Sequence, residues 1–125
     1  MDKKKLIIIE DDMDISEELS EILQLEGFTV HTAASAREAM KFFSKNSYFV
    51  CLLDLKLPGN GFEIIKKLQE NKKIPRLIII TGSPLEMLDK SKKYLLDCAE
   101  NIFMKPFNIE ELIRQIRRTD VDKKT

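Results

Sequence analysis

The sequence feature that most constrains the fold is the apolar run at residues 49–54, which ends on the carboxylate of Asp54. Pro58 and Gly59 follow closely and favour a turn, so the run does not continue as a longer strand. A continuous apolar run of this length is typical of a central strand in a parallel sheet, buried on both faces. Open α/β sheets place their ligand sites at the carboxyl ends of such strands. Asp54 is therefore the first candidate for a functional residue.

The rest of the chain alternates predicted strands with predicted helices. The other strands are expected at residues 6–9, 28–32, 77–80 and 102–104. Helices are expected at residues 15–25, 61–70 and 85–97, and after two capping boxes, Ser35 with Glu38 and Asn108 with Glu111. This alternation predicts an α/β fold with right-handed crossovers and one five-stranded parallel sheet that has helices on both faces.

Apolar residues at helical spacing predict which side of each helix faces the sheet. The predicted inward residues are Ile15, Leu19, Ile22 and Leu25; Ala39, Met40 and Phe43; Phe62, Ile65 and Leu68; and Leu112, Ile113 and Ile116.

The totals exclude several classes of protein. A chain of 125 residues has room for one core, expected here as a domain at residues 1–118 followed by a polar tail or linker stub at 119–125. Lys plus Arg and Asp plus Glu both number 21, so no global field favours nucleic acid or an anionic membrane. The apolar runs are too short for a membrane span or a signal peptide. Cys51 and Cys98 lack metal or redox spacing, which fits the reducing cytoplasm.

Reactive side chains follow four of the predicted strands. Glu10, Asp11 and Asp12 follow the first, Asp54 ends the third, Thr81 follows the fourth and Lys105 follows the fifth. Each has an ordinary explanation alone, such as a helix-capping acid, a β-forming threonine or a solvated loop lysine. Parallel strands place all of them at one edge of the sheet, which makes a shared site the better interpretation.

The charges of this site favour a divalent cation. Two carboxylates about 4 Å apart repel by about 4 kcal/mol at an effective dielectric of 20. Oxygen ligands select a hard ion, and we expect Mg²⁺ as the cofactor. Near such an ion the Asp54 carboxylate can act as a nucleophile toward a phosphoryl group. Thr81 can donate to a phosphoryl oxygen, and Lys105 can pair with the phosphate or with Asp54.

These residues, in this order, resemble the receiver domain of bacterial two-component response regulators from about residue 4 to 118. The resemblance implies a flavodoxin-like sheet in strand order 2-1-3-4-5, and Asp54 as acceptor of a phosphoryl group from a histidine kinase or phosphotransfer protein. It implies Mg²⁺ held by Asp11, by Asp54, by Glu10 through water and by the backbone carbonyl of Lys56, with Thr81 and Lys105 contacting the phosphate. The implied output is a switch in binding to a downstream protein or tethered output domain, without direct binding of nucleic acid. Beyond accepting the phosphoryl group and slowly hydrolysing it, no multiple-turnover activity is implied.

The sequence departs from the family pattern at three places. The loop between Pro58 and Gly61 is one residue short, and the stretch between Thr81 and Lys105 is longer than usual. The aromatic residue that often lies three positions before the lysine is replaced by Ile102, and Phe103 is its neighbour. Neighbouring strand residues face opposite sides of a sheet, so Phe103 is expected to face away from the usual aromatic position.

Three other functions share part of this sequence pattern. A phosphatase of the haloacid-dehalogenase type needs an Asp-x-Asp motif after its first strand, where this chain has contiguous acids. A flavodoxin-like FMN binder needs a phosphate loop rich in Ser, Thr and Gly after its first strand, where this chain has acids. A receiver-like module that binds partners without phosphorylation stays open, although the full set of acids, threonine and lysine argues against it.

Overall fold

The computed structural model describes residues 4–55, 61–70, 75–82 and 97–118, and within them strands and helices alternate. The strands are β1 (Lys5–Ile9), β2 (Thr29–Ala33), β3 (Val50–Asp54), β4 (Arg76–Thr81) and β5 (Ala99–Met104). The helices are α1 (Met13–Leu25), α2 (Ala36–Lys45), α3 (Gly61–Glu70) and α4 (Ile109–Arg117). The predicted helix at 85–97 lies almost wholly outside the described residues. Lys56, the short loop before Gly61 and the polar tail at 119–125 also lie outside them.

The five strands form one parallel sheet in the order β2-β1-β3-β4-β5. Ile7 of β1 lies opposite His31 of β2 on one side and opposite Cys51 of β3 on the other. The predicted fold class and strand order are therefore confirmed. Because all the strands are parallel, their carboxyl ends lie at the same edge of the sheet, and this edge is where the candidate residues follow.

The side chains of the sheet point alternately into two hydrophobic clusters, one on each face. Leu6, Ile8, Leu52 and Ile78 pack with residues of α1 and α4. Ile7, Leu53, Ile79 and others pack against α2 and α3 on the opposite face. Residues 6–9 of β1 and all of β3 are buried, as the continuous apolar runs predicted. Each fully buried aliphatic side chain stabilises the fold by about 1.5–3 kcal/mol, so the central strands contribute strongly to stability.

Helix α1 begins two residues earlier than predicted because Asp12 is its N-cap. The carboxylate of Asp12 accepts hydrogen bonds from the backbone N–H groups of Asp14, at 3.0 Å, and Ile15, at 3.2 Å. The inward face was predicted correctly in part: Leu19 is buried and Ile15 packs against the same cluster, but Leu25 was wrongly included. Leu23 is fully buried, whereas Leu25 is 89% exposed, because the helix turns by about 100° per residue and its inward side is centred on Leu19 and Leu23.

The other helix faces agree more closely with prediction. In α3, Ile65 and Leu68 are buried as predicted, Ile64 is buried in addition, and the side chain of Phe62 is not described. Ala39 of α2 and both Leu112 and Ile116 of α4 are buried. Partly buried residues complete these two faces: Met40, Phe43 and Ile113.

The two predicted N-caps are confirmed. The Ser35 hydroxyl accepts from the Glu38 N–H at 3.2 Å, and the Asn108 side chain accepts from Glu110 N–H at 2.8 Å and Glu111 N–H at 3.2 Å. The return bond of the first box differs from expectation. The Glu38 carboxylate accepts from the N–H of Ala34 at 3.1 Å, one residue before the cap.

Strand β5 begins three residues earlier than predicted, at Ala99. Its first half contains Glu100 and Asn101, polar residues that lower the strand propensity of the sequence. The pairing of β5 with β4 also changes register between Leu77 and Ile78, which no periodic pattern reveals. None of the helices in the described part of the chain has the length and apolar character needed to cross a membrane.

Candidate phosphoryl-acceptor site

Four strand ends bring the candidate residues together at one edge of the sheet. Glu10 and Asp11 follow β1, Asp54 is the last residue of β3, and Thr81 is the last residue of β4. Lys105 follows β5 directly, and its backbone N–H donates to the carbonyl oxygen of Thr81 at 2.8 Å. This bond extends the pairing of β4 with β5 by one step, so the position of Lys105 depends on the register of those two strands.

The site has a buried floor and an exposed rim. The exposed fractions of Glu10, Asp54 and Thr81 are 4%, 3% and 0%. Asp11 is exposed to solvent. The site therefore combines a buried carboxylate, Asp54, with an exposed one, Asp11.

The Lys105 ammonium group pairs with two carboxylates at once. Its Nζ lies 3.1 Å from Oδ2 of Asp54 and 3.2 and 3.3 Å from the two oxygens of Glu10. The contact with Asp54 agrees with the expectation from the sequence, whereas the contact with Glu10 was not predicted. Strand order places Glu10, which directly follows β1, beside the end of β3, but the reach of the Lys105 side chain decides that its Nζ contacts both acids.

Asp54 and burial together alter the protonation of Glu10. Burial, together with the hydrogen bond and negative charge of Asp54, raises the pKa of Glu10 to about 7 despite the opposing effect of Lys105. Burial alone would lower the pKa of Lys105. The hydrogen bonds and charges of Asp54 and Glu10 outweigh it and raise that pKa above its ordinary value. Near neutral pH the site therefore holds a firmly charged ammonium group and one carboxylate that is only partly ionised.

The carboxylates fit a hard divalent cation. One oxygen from each of Glu10, Asp11 and Asp54 lies within 4.8 Å of the others. These are oxygen ligands of the type that Mg²⁺ prefers, and two of the three residues, Glu10 and Asp54, are buried. The side chain of Asp12 serves instead as the N-cap of α1. Lys56, the fourth predicted metal ligand, lies outside the described residues.

Gly61 places the first turn of α3 directly against the end of β3. A Cβ atom at residue 61 would lie 3.4 Å from the carbonyl oxygen of Asp54 and 3.5 Å from the Cα of Leu55. From the sequence alone, this glycine marks only the length of the preceding loop. Its structural role is a close approach of two backbones beside the candidate nucleophile.

The aromatic residue of β5 faces as the alternation of the strand predicts. Ile102 packs against the cluster on the α2 and α3 face. Phe103 packs on the opposite face and makes an edge-to-face contact with Phe107, with ring centroids 6.0 Å apart. Ile102 therefore occupies the side of β5 on which the family pattern often has an aromatic ring.

Comparison with known proteins gives one consistent family. Residues 6–117 match the family model of the response regulator receiver domain. The transcriptional regulatory protein CpxR homolog of Haemophilus influenzae is 35% identical over 114 residues, which cover 90% of this chain but only 48% of that protein. Sporulation initiation phosphotransferase F of Bacillus subtilis is 32% identical over 120 residues, which cover 94% of both chains. The chain thus spans about half the length of some relatives and nearly all of another.

Solved structures share the fold closely. The response regulator protein TrrA of Thermotoga maritima, in complex with Mg²⁺-BeF, superposes with a TM-score of 0.78 at 30% identity and covers 91% of this chain and 96% of its own. A CheY-like receiver domain protein of Methanospirillum hungatei has a TM-score of 0.84 at 28% identity, with 98% of both chains covered.

Proposed function

This chain belongs to the family of response regulator receiver domains, and we propose that Asp54 accepts a phosphoryl group from a histidine kinase or a phosphotransfer protein. The observation that carries this proposal is the position of Asp54: a buried carboxylate between one ammonium group and two further acids at the ligand-binding edge of the sheet. Receiver domains are signalling domains, so we propose a phosphorylation-controlled switch rather than a multiple-turnover enzyme.

In the proposed reaction an oxygen of Asp54 attacks the phosphorus atom of a phosphohistidine. The P–O bond to Asp54 forms while the P–N bond to the imidazole breaks, and the imidazole nitrogen then takes a proton from solvent. Lys105 lies close enough to Asp54 to contact the new phosphoryl oxygens, and its raised pKa keeps it charged for that role. We assign Thr81 as the hydroxyl that donates to a phosphoryl oxygen, because it ends the neighbouring strand.

The proposed Mg²⁺ site would have four protein ligands. They are the carboxylates of Asp11 and Asp54, Glu10 through a water molecule, and the backbone carbonyl of Lys56. The bound cation supplies compensation for the negative charge of the carboxylates and the incoming phosphate. The crystal structure of the Thermotoga relative with Mg²⁺-BeF supports this choice of metal by analogy. In this chain the acids themselves support it, since Lys105 is shared between Glu10 and Asp54.

The partners follow from the family. We propose that residues 1–118 form the receiver domain and that 119–125 form a tail or the start of a linker. The Haemophilus relative, of which the match covers 48%, is named as a transcriptional regulatory protein homolog, whereas the match covers 94% of the Bacillus phosphotransferase. The output is accordingly a separate downstream protein or a tethered domain, and the free thiols of Cys51 and Cys98 suit a cytoplasmic setting.

Incubation with Mg²⁺ and acetyl phosphate, followed by intact mass spectrometry, tests the proposal. The chain should gain the mass of one phosphoryl group, and Asp54→Asn should gain none. Beryllofluoride should shift the amide NMR signals around residues 54, 81 and 105 only when Mg²⁺ is present. An adduct that persists in Asp54→Asn would overturn the assignment of the acceptor.

The alternative is a receiver-like module that binds its partner without phosphorylation. Absence of any adduct with acetyl phosphate, with beryllofluoride and with a phosphorylated phosphotransfer protein would favour it. A phosphatase of the haloacid-dehalogenase type would instead hydrolyse a generic phosphate ester such as p-nitrophenyl phosphate with many turnovers per molecule.

A further inference from the structure

A charged pair joins β4 to β5 at the end of the sheet opposite to the candidate site. The Arg76 guanidinium donates two hydrogen bonds to the Glu100 carboxylate, at 2.7 and 2.6 Å. The exposed fractions of the two side chains are only 16% and 14%. A bidentate pair with this little exposure is among the stronger polar contacts in a protein, because both geometry and low solvation favour it.

The same pair is tied to the end of helix α4. Arg76 also donates to the backbone carbonyls of Gln115, at 2.5 Å, Ile116, at 2.7 Å, and Arg118, at 3.0 Å. The buried Gln115 side chain donates to Glu100 at 2.5 Å and accepts from Asn101 at 3.2 Å. Glu100 and Asn101 are therefore held from two directions, by β4 and by α4.

Glu100 is the extra residue of a β-bulge. Leu77 pairs with Ala99 and Ile78 pairs with Asn101, so the register of the two strands shifts by one residue at Glu100. The bulge explains why Ala99 and Ile102 both pack on the α2 and α3 face, although residues three apart in a regular strand face opposite sides.

The bulge also decides where Lys105 lies. With the bulge in place Thr81 pairs with Met104, and the next backbone bond seats Lys105 beside Thr81. The pair Leu77–Ala99 precedes the bulge. If its register continued to the end of the strand, Phe103 would lie opposite Thr81. A slip of one residue displaces a strand by about 3.3 Å and turns its side chains to the other face. The Lys105 ammonium group would then lose its contacts.

We propose that the Arg76–Glu100 pair locks the register of β5 and thereby positions the Lys105 ammonium group. Arg76 and Glu100 are positioning residues, since they lie at the far ends of their strands and touch neither Asp54 nor Lys105. The importance of this lock for signalling rests on the proposed function. The lock itself concerns only the pairing of β4 with β5.

Amide hydrogen exchange of the full chain, without Mg²⁺ or phosphoryl donor, tests the lock. The Lys105 amide reports the register because it donates to Thr81. In Arg76→Gln its protection should fall at least about tenfold more than that of the β3 amides, the scale of one lost charge-assisted bond. Arg76→Lys should do the same, because lysine keeps the charge but lacks the planar fork. Glu100→Gln replaces Arg76→Gln should that variant fail to fold.

Deletion of Glu100 separates a register lock from general stabilisation. Without the extra residue the strand pairs Leu77 with Ala99 and Ile78 with Asn101 regularly, so the deletion should restore Lys105 protection in the Arg76→Gln background. Arg117→Gln is the matched control, because Arg117 pairs with Glu26 at 2.7 Å without touching β5. Protection at Lys105 that falls only in parallel with β3, or that the deletion does not restore, would overturn the lock. Neither result depends on whether Asp54 accepts a phosphoryl group.

Discussion

The Nζ atom of Lys105 lies 3.1 Å from Oδ2 of Asp54, although 51 residues separate them in the chain. The contact joins the most buried carboxylate of a central strand to a lysine that follows an edge strand. It places a cation beside Asp54 in the metal-free protein, where a phosphoryl group on Asp54 would also need one.

Replacing Lys105 by Met should destabilise the metal-free protein. The carboxylates of Asp54 and Glu10 would lose their shared partner in a buried setting, so we expect the free energy of unfolding near neutral pH to fall by about 1–3 kcal/mol. Urea denaturation measures the change. Added Mg²⁺ should reduce the deficit, since the metal supplies positive charge to the same oxygens. An equal deficit with and without Mg²⁺ would contradict the arrangement of charges described above.

The affinity for Mg²⁺ should depend on the protonation of Glu10. With a pKa of about 7, Glu10 is mostly protonated at lower pH, and a cation must then displace its proton. Titration calorimetry should show affinity rising by about tenfold from about pH 6 to about pH 8. Glu10→Gln should bind more weakly, with a flatter dependence on pH. If the Mg²⁺ affinity of Glu10→Gln depended on pH as steeply as that of the wild type, the titrating proton would belong to another group.

The same raised pKa has a consequence for stability without metal. The folded protein holds the Glu10 proton more tightly than the unfolded chain, in which the pKa returns to 4.5. The contribution of Glu10 to the free energy of unfolding should therefore decrease as the pH rises from 4.5 to about 7. Comparing wild type with Glu10→Gln by urea denaturation across this range isolates that contribution, which should be absent from the variant.

Variants of Asp12 should affect helix capping, and a variant of Asp11 should affect metal binding. Asp12→Ala removes the acceptor for two N–H groups at the start of α1 and should cost about 1 kcal/mol, whereas Asp12→Asn keeps most of the cap. Asp11→Asn should weaken Mg²⁺ binding with little loss of stability, because Asp11 is exposed. Thermal denaturation and Mg²⁺ titration of the three variants would reveal any exchange of these roles.

Alanine substitutions at two leucines of α1 should change the free energy of unfolding by very different amounts. Leu23→Ala opens a cavity in the cluster between α1 and the sheet and should cost about 2–5 kcal/mol. Leu25→Ala changes an exposed side chain and should stay within about 0.5 kcal/mol. A comparable loss from both variants would mean that Leu25 is covered in solution.

Much of the fold was predictable because its central strands are buried on both faces. The runs that contain Ile8, Leu52 and Ile78 have no alternating pattern, and this continuity indicates a parallel sheet. The strand ends then placed Glu10, Asp54, Thr81 and Lys105 at one edge without knowledge of any distance. The helix faces were less certain, because both Leu23 and Leu25 of α1 are apolar, and only Leu23 faces the sheet.

The charged groups at the other end of the sheet were not predictable in the same way. Arg76 reads as a residue before a strand, and Glu100 and Asn101 read as part of a loop. Their significance lies in a contact between residues 24 positions apart and in a bulge, and neither has a periodic signature. Likewise, the sharing of Lys105 by two acids depends on side-chain reach, which strand order alone does not specify.

Gly61 gives the first turn of α3 and the acceptor strand a common boundary made of backbone atoms. The size of the side chain at residue 61 should therefore set the distance between α3 and β3. Alanine fits at van der Waals distance, while each larger residue would wedge the helix farther from the strand. A size series at this one position would vary the distance between α3 and the acceptor in graded steps, with every charged group of the site left in place.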